Sequence, residues 1–123
     1  PKVPADESYH QKLMTLAKNV ALDQKIEFIG HVEQMQDFYN QIDIFVHCPA
    51  IAEPFGLVVA EAMGAGRLVI VRDGGGITDF VQHGRTGLTF SDRRDLGLLL
   101  KRVLRNEIPQ LEQIATEGHR HIQ

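Results

Sequence analysis

Two glutamates in one stretch of the chain are the residues best suited to do chemistry. Glu53 and Glu61 lie eight positions apart within residues 49–66, which read P-A-I-A-E-P-F-G-L-V-V-A-E-A-M-G-A-G. Three extended steps and about five helical residues put the two carboxylates roughly 10–15 Å apart. Paired carboxylates that cleave one glycosidic bond lie at most about 9.5 Å apart, so this spacing favours a grip on two ends of an extended ligand. A nucleotide diphosphate sugar, with hydroxyls on both sides of its diphosphate, has that form.

A helix start between the two glutamates predicts an anion site. Pro54 does not fit inside a helix, Gly56 frees the backbone, and residues 57–65 are mostly helix-compatible. A helix is therefore expected to begin near Gly56 or Leu57. Its first amides have no partner inside the helix and lie at the positive end of the helix dipole, which suits a phosphate.

The rest of the chain alternates between helical and strand patterns. Helices are predicted at residues 6–20, 35–42, 77–82 and 92–105, and from Pro109 onward. Short strands are predicted at residues 25–29, 43–47, 68–71 and 88–90. Such alternation is typical of an α/β fold with a Rossmann-like parallel sheet flanked by helices.

Composition narrows the class of protein. The 123 residues are 43% hydrophobic, which is enough for one globular domain with a real core. A net charge of -3 gives no electrostatic reason to expect a nucleic acid partner. No apolar run approaches about 20 residues and no signal-peptide pattern opens the chain. A cytoplasmic protein is expected, and a peripheral membrane association of the full-length protein stays open.

The histidines and the single cysteine do not form a metal site. Six histidines are scattered along the chain without a cluster of cysteines or carboxylates beside them, so no metal is predicted. Cys48 is the only cysteine, which excludes an intrachain disulfide and fits a reducing compartment. It is expected to be buried beside its strand, since no matching base is evident to make it a nucleophile.

The central stretch resembles a known family. E-P-F-G-L-V-V-A-E-A-M-G-A-G, followed by L-V-I and by Gly74, Gly75 and Gly76, resembles the retaining glycosyltransferases of family 4, the group 1 glycosyltransferases, with their glutamate, seven residues, glutamate signature. F-I-G at residues 28–30, D-I-F-V at residues 43–46 and the later G-R-T-G-L-T-F follow in the family's order. The similarity covers most of the chain, from about residue 10 to residue 105.

The resemblance implies a fold and a place within it. Members of the family have two Rossmann-like domains with a cleft between them, an arrangement called the B-type glycosyltransferase fold. Residues 1–123 would then be part of the C-terminal domain, which binds the nucleotide-sugar donor. The acceptor-binding N-terminal domain would be absent from the chain.

The resemblance also implies roles for individual residues. Glu53 would contact donor-sugar hydroxyls near the reacting carbon as the catalytic residue, and Glu61 would accept hydrogen bonds from the ribose diol. Further donor-binding positions would be Phe55, Gly56 and Leu57 at the sugar and diphosphate, Gly30, His31 and Val32 at the nucleobase, and Gly75 and Gly76 beside the sugar. Two departures stand out, since Asp79 occupies a place where the family usually has glutamate, and Arg67-Leu68 stands where proline is usual.

The intact protein is thus expected to transfer a hexose from a nucleotide sugar with retention and without a cofactor. The isolated chain is expected to have little or no activity, because the family's basic arginine and lysine pair, which neutralises the departing diphosphate, comes from an earlier stretch. A sheet that lacks its middle strands would leave residues 25–29 without neighbours, and the exposed edge would allow self-association. Two alternatives stay open: a non-catalytic nucleotide-sugar binding module, and a related epimerase or sugar phosphorylase.

Overall fold

The computed structural model describes residues 4–48 and 56–122. They fall into two compact units, one within Pro1–Glu33 and the other within Gln34–Gln123. Within these described ranges no helix is long and apolar enough to cross a membrane.

The first unit is built on one helix, as predicted. Helix α1 runs over Pro4–Asn19 and buries Ala17. It ends because Ala21 turns into the left-handed region at φ 59°, which lets the Leu22 amide donate to the Ala17 carbonyl at 2.8 Å and the Ala21 amide donate to the Lys18 carbonyl at 3.0 Å. This pair of bonds satisfies carbonyls that the last turn would otherwise leave open.

The strand predicted at residues 25–29 is wrong. Residues 26–30 are irregular, and the described part of the first unit contains no strand. A strand forms only where a partner strand completes its hydrogen bonds, and the described residues of this unit contain none. Ile26, Phe28 and Ile29 are instead 43%, 40% and 49% exposed, with the Phe28 ring edge-on to His10 at 5.2 Å.

The second unit contains a parallel three-stranded sheet, which confirms the predicted fold class. Its strands are β1 (Ile44–His47), β2 (Leu68–Arg72) and β3 (Leu88–Phe90), in the order β1-β2-β3. Ile44 pairs with Leu68, and Ile70 pairs with Leu88. All three strands therefore end at the same edge of the sheet, where α/β folds place their ligands.

Helices follow the strands as the periodicity predicts. They are α2 (Met35–Asn40), α3 (Leu57–Gly64), α4 (Arg93–Leu104) and α5 (Leu111–Ile122). The helix predicted at residues 77–82 is instead a short 3₁₀ helix over Gly75–Asp79. It starts two residues earlier than expected because Gly74, at φ 121° and ψ 169°, turns the chain directly after β2.

The core lies on both faces of the sheet, and β2 contributes to each. One cluster joins Val69 and Val71 to α3, and the other joins Leu68 and Ile70 to α4 and α5. Because successive strand residues point to opposite faces, a strand covered on both sides is apolar throughout.

The outer strand β1 is only half-buried. Among the described residues it pairs with β2 alone, and Val46 is exposed. Cys48 follows β1 directly and is exposed as well, so its predicted burial is wrong. It lies beyond His47, the last residue of β1 that pairs with β2, so it is not part of the paired strand.

Candidate functional site at the start of helix α3

The helix predicted between the glutamates starts where expected. Gly56 precedes α3 as its N-cap with φ 62° and ψ 34°, in the left-handed region. A Cβ atom at this position would lie 2.9 Å from Phe80 Cζ and 3.0 Å from Ile77 Cγ1. Backbone angle and space therefore both require glycine at this corner.

The first turn of α3 offers backbone donors. The Ala60 amide donates to the Gly56 carbonyl at 3.0 Å and begins the hydrogen-bond ladder. The amides of Leu57, Val58 and Val59 come before that bond, at the positive end of the helix dipole. The Leu57 side chain is 66% exposed, so this end of the helix faces solvent.

Glu61 lies on the exposed side of α3, one turn after these donors. It is exposed, and it is four residues after the exposed Leu57, whereas Val59, Ala62 and Met63 are buried against the sheet. Residues four apart share one helix face and are separated by about 6 Å along the axis. An exposed carboxylate thus follows a group of amide donors by one helical turn, a pairing suited to a ligand that carries hydroxyls next to a phosphate.

A second predicted stretch comes close to the same place. Gly75 and Gly76 open the 3₁₀ helix that follows β2, and Ile77 and Phe80 pack against Gly56. The segment that these glycines open therefore contacts the start of α3 through Ile77 and Phe80. Asp79 is exposed at the last position of the 3₁₀ helix.

A buried phenol lies beneath the first turn of α3. The Tyr39 side chain is 0% exposed, and its hydroxyl donates to the Val58 carbonyl at 3.2 Å. Burial, and in addition the negative charge of Glu61, raise the pKa of this phenol above its ordinary value. The sequence predicted only a helix over residues 35–42 here, and gave no signal for the contact of Tyr39 with α3.

The remaining predicted positions fall elsewhere. Glu53 and Phe55 lie outside the described residues. Gly30, His31 and Val32 belong to the first unit, where Gly30 has φ 68°, His31 is exposed and Val32 is half-buried. The described ranges bring no three histidine, cysteine or acidic side chains close enough together to hold a metal ion.

A parallel sheet whose first strand leads to a glycine-capped helix defines an α/β domain of the nucleotide-binding type. The family model for glycosyl transferases group 1 matches residues 5–121. The chain therefore belongs to the group 1 glycosyltransferases, as the sequence resemblance indicated.

Curated relatives agree with this membership. The chain is 32% identical over 100 residues to a mannosylfructose-phosphate synthase from Agrobacterium fabrum, covering 78% of this chain and 22% of the relative. It is 31% identical over 113 residues to a D-inositol 3-phosphate glycosyltransferase from Rhodococcus opacus, covering 89% of this chain and 25% of the relative. The chain thus spans about a quarter or less of these relatives' length.

Solved structures share the fold. HepE from Anabaena, solved in complex with UDP, superposes with a TM-score of 0.87 at 21% identity, over 98% of this chain and 33% of that one. Sucrose-phosphate synthase from Thermosynechococcus elongatus gives a TM-score of 0.79 at 27% identity, over 94% of this chain and 30% of that one. The predicted kind of fold, that of the B-type glycosyltransferases, is confirmed.

Proposed function

We propose that this chain is the donor-binding part of a retaining group 1 glycosyltransferase that moves a hexose from a nucleotide sugar to an acceptor. The observation that carries the proposal is the start of α3, where the exposed Glu61 follows, by one helical turn, the first-turn amides that have no partner within the helix. Family membership supports it, and so does HepE, a protein of the same fold that was solved with UDP-glucose.

The start of α3 binds the diphosphate of the donor. The amides of Leu57, Val58 and Val59 donate to phosphate oxygens, and Gly56 supplies the left-handed corner from which the helix starts. The helix dipole adds an attraction for the negative charge. No metal or other cofactor is needed for this binding.

Glu61 binds the ribose of the donor through hydrogen bonds. Both hydroxyls of a ribose diol donate hydrogen bonds, and a carboxylate has two oxygens to accept them. The helical rise between Leu57 and Glu61, about 6 Å, matches the short covalent link between a phosphate and a ribose.

The sugar end of the donor belongs to the other predicted residues. Glu53 contacts the sugar hydroxyls near the reacting carbon, Phe55 adds a backbone amide, and Gly75 and Gly76 let their loop approach the sugar. An N-terminal domain supplies the acceptor, and a basic pair from an earlier stretch neutralises the departing diphosphate. The chain alone is therefore expected to bind donor with little turnover.

Glu61 is tested by titrating the chain with the diphosphates of uridine, guanosine and adenosine and with their sugars. We expect one base to be preferred, and Glu61→Gln to weaken binding roughly 10-fold or more, since hydrogen bonds to a charged group contribute about 1.5–3 kcal/mol. Calorimetry, with ligand-observed NMR for weak binding, measures the affinities. Glu112→Gln, an exposed glutamate in the first turn of α5, is the control and should leave the affinity unchanged. Equal affinities for Glu61→Gln and the unchanged chain would contradict the ribose role.

Turnover separates the enzyme classes. In the protein that joins this chain to its acceptor domain, release of nucleoside diphosphate that requires a sugar acceptor supports a transferase. Release that requires orthophosphate would point to a phosphorylase. Donor binding with no turnover in that protein would leave only a binding module.

A further inference from the structure

Tyr39 is a polar residue in an apolar cluster. Its side chain is 0% exposed and packs with Val59, Ala62 and Met63, which form the buried face of α3. A phenylalanine would fill the same space without bringing a hydroxyl into the core. The hydroxyl therefore needs a hydrogen-bond partner, because burying a phenol without one costs free energy.

The hydroxyl reaches the first turn of α3. It donates to the carbonyl of Val58, the second residue of that helix, at 3.2 Å. Val58 stands between the exposed Leu57 and the buried Val59, in the turn whose amides face the ligand. The bond thus ties α2 to the end of α3 that binds the donor.

The ring is held in turn by its aromatic neighbours. Phe45, on β1, lies edge-on to it with ring centroids 5.6 Å apart, and Phe38 lies edge-on at 5.9 Å. Such contacts fix the ring orientation. The hydroxyl is consequently fixed relative to the sheet, and it transmits that position to the start of α3.

The other end of α3 has a separate contact. The Nδ1 atom of His119, on α5, lies 3.2 Å from the Met63 carbonyl in the last turn. Side chains therefore contact the backbone near both ends of the helix, and each can be removed independently.

Tyr39 and Glu61 also interact through charge. Burial of the ring, and in addition the negative charge of Glu61, raise the pKa of the Tyr39 phenol. Changes at one of these residues are expected to be felt at the other.

We propose that Tyr39 is a positioning residue, whose hydroxyl holds the first turn of α3 so that its amides and Glu61 meet the diphosphate and ribose of the donor together. This inference rests on the proposed function. The inference extends that function by assigning a role to Tyr39, a residue that does not contact the ligand.

The test is Tyr39→Phe in the full chain, which keeps the ring and removes the hydroxyl. We expect the affinity for the preferred nucleoside diphosphate to fall about 3- to 10-fold, the range of one lost hydrogen bond. His119→Ala is the matched control, because it loosens the far end of the same helix. It should lower the unfolding midpoint while changing the affinity less than 2-fold.

A double variant distinguishes positioning from a general loss of stability. If the hydroxyl acts through the first turn and Glu61, the loss caused by Tyr39→Phe should be clearly smaller in the presence of Glu61→Gln than alone. Phe38→Leu keeps the Tyr39 hydroxyl and removes one of its ring contacts, so it should weaken binding about 2-fold. It replaces Tyr39→Phe as the test variant if Tyr39→Phe does not fold.

The outcomes separate the two proposals. Binding by the unchanged chain with no loss in Tyr39→Phe, or with fully additive losses in the double variant, would overturn the positioning role alone. No binding of any nucleoside diphosphate by the unchanged chain would overturn the proposed function itself.

Discussion

A single hydroxyl, that of Tyr39, connects the core to the candidate site. Its pKa is raised in the folded chain by burial and by the charge of Glu61. Below the ordinary tyrosine pKa of about 10, the phenol is protonated in both the folded and the unfolded chain. Above it the unfolded chain loses this proton first, so stability falls as the pH rises through the folded pKa.

Tyr39→Phe should therefore flatten the alkaline loss of stability. We expect the free energy of unfolding of the unchanged chain to fall more steeply above about pH 10, by up to roughly 1.4 kcal/mol per pH unit from this one group. Urea titrations between pH 8 and 11 measure the difference. Tyr9→Phe, at an exposed tyrosine, should keep the steeper slope. Identical slopes for the unchanged chain and Tyr39→Phe would contradict a buried, coupled phenol.

The sequence predicts those features of the candidate site that depend only on neighbouring residues. The helix start at Gly56 was predicted from proline, glycine and helix patterns within a few positions, and the structure confirms it, whereas the roles of Gly56 and Glu61 in donor binding stay predictions. Tyr39 was not found, because its bond to Val58 joins residues 19 positions apart. Periodicity states which face of α2 is buried and cannot state what the buried hydroxyl meets.

At the scale of elements, α3 depends on the corner that precedes it. Gly56→Ala would bring a Cβ atom within 2.9 Å of the Phe80 ring and hold alanine at φ 62°. We expect the change to cost about 1–3 kcal/mol of stability, from the left-handed backbone and from overpacking, and to weaken donor binding as the helix start shifts.

Denaturant unfolding measures this cost, with Gly97→Ala as the control. Gly97 lies inside α4, and a Cβ atom there would meet nothing within 4 Å. Alanine should stabilise that helix by about 0.5–1 kcal/mol. If Gly56→Ala were as stable as the unchanged chain, the corner would not require glycine.

The elements that were predicted correctly are those whose signal is complete in the local sequence. The apolar residues of β2 and the leucine-rich sequence of α4 each predict an element that packs in the core, and the structure confirms both. Residues 25–29 carry a similar apolar pattern and are not a strand, since a strand also needs a partner at its edge. Local pattern specifies the tendency, whereas pairing decides the result.

At the scale of the whole molecule, the described residues contain one three-stranded parallel sheet. By the proposed function, the chain forms the donor-binding side of the sugar-transfer site. Cores on both faces of β2 fix α3 on one side and α4 on the other, and α5 contributes Ile122 to the first core and Ile114 to the second. Among the described residues β1 has a strand on one side only, so the predicted self-association of the chain stays a prediction. The proposed partner domain would complete the sugar-transfer site.

The most direct measurement is a nuclear magnetic resonance titration of the nitrogen-15-labelled chain with uridine diphosphate, with guanosine and adenosine diphosphates in parallel. If α3 binds the donor, the amide signals of residues 57–61 should shift, together with those of residues 75–77 beside Gly56. The signals of α4 and the first turn of α5 should stay in place. Shifts confined to those helices, or no shift with any of the three nucleotides at millimolar concentration, would contradict a donor site at the start of α3.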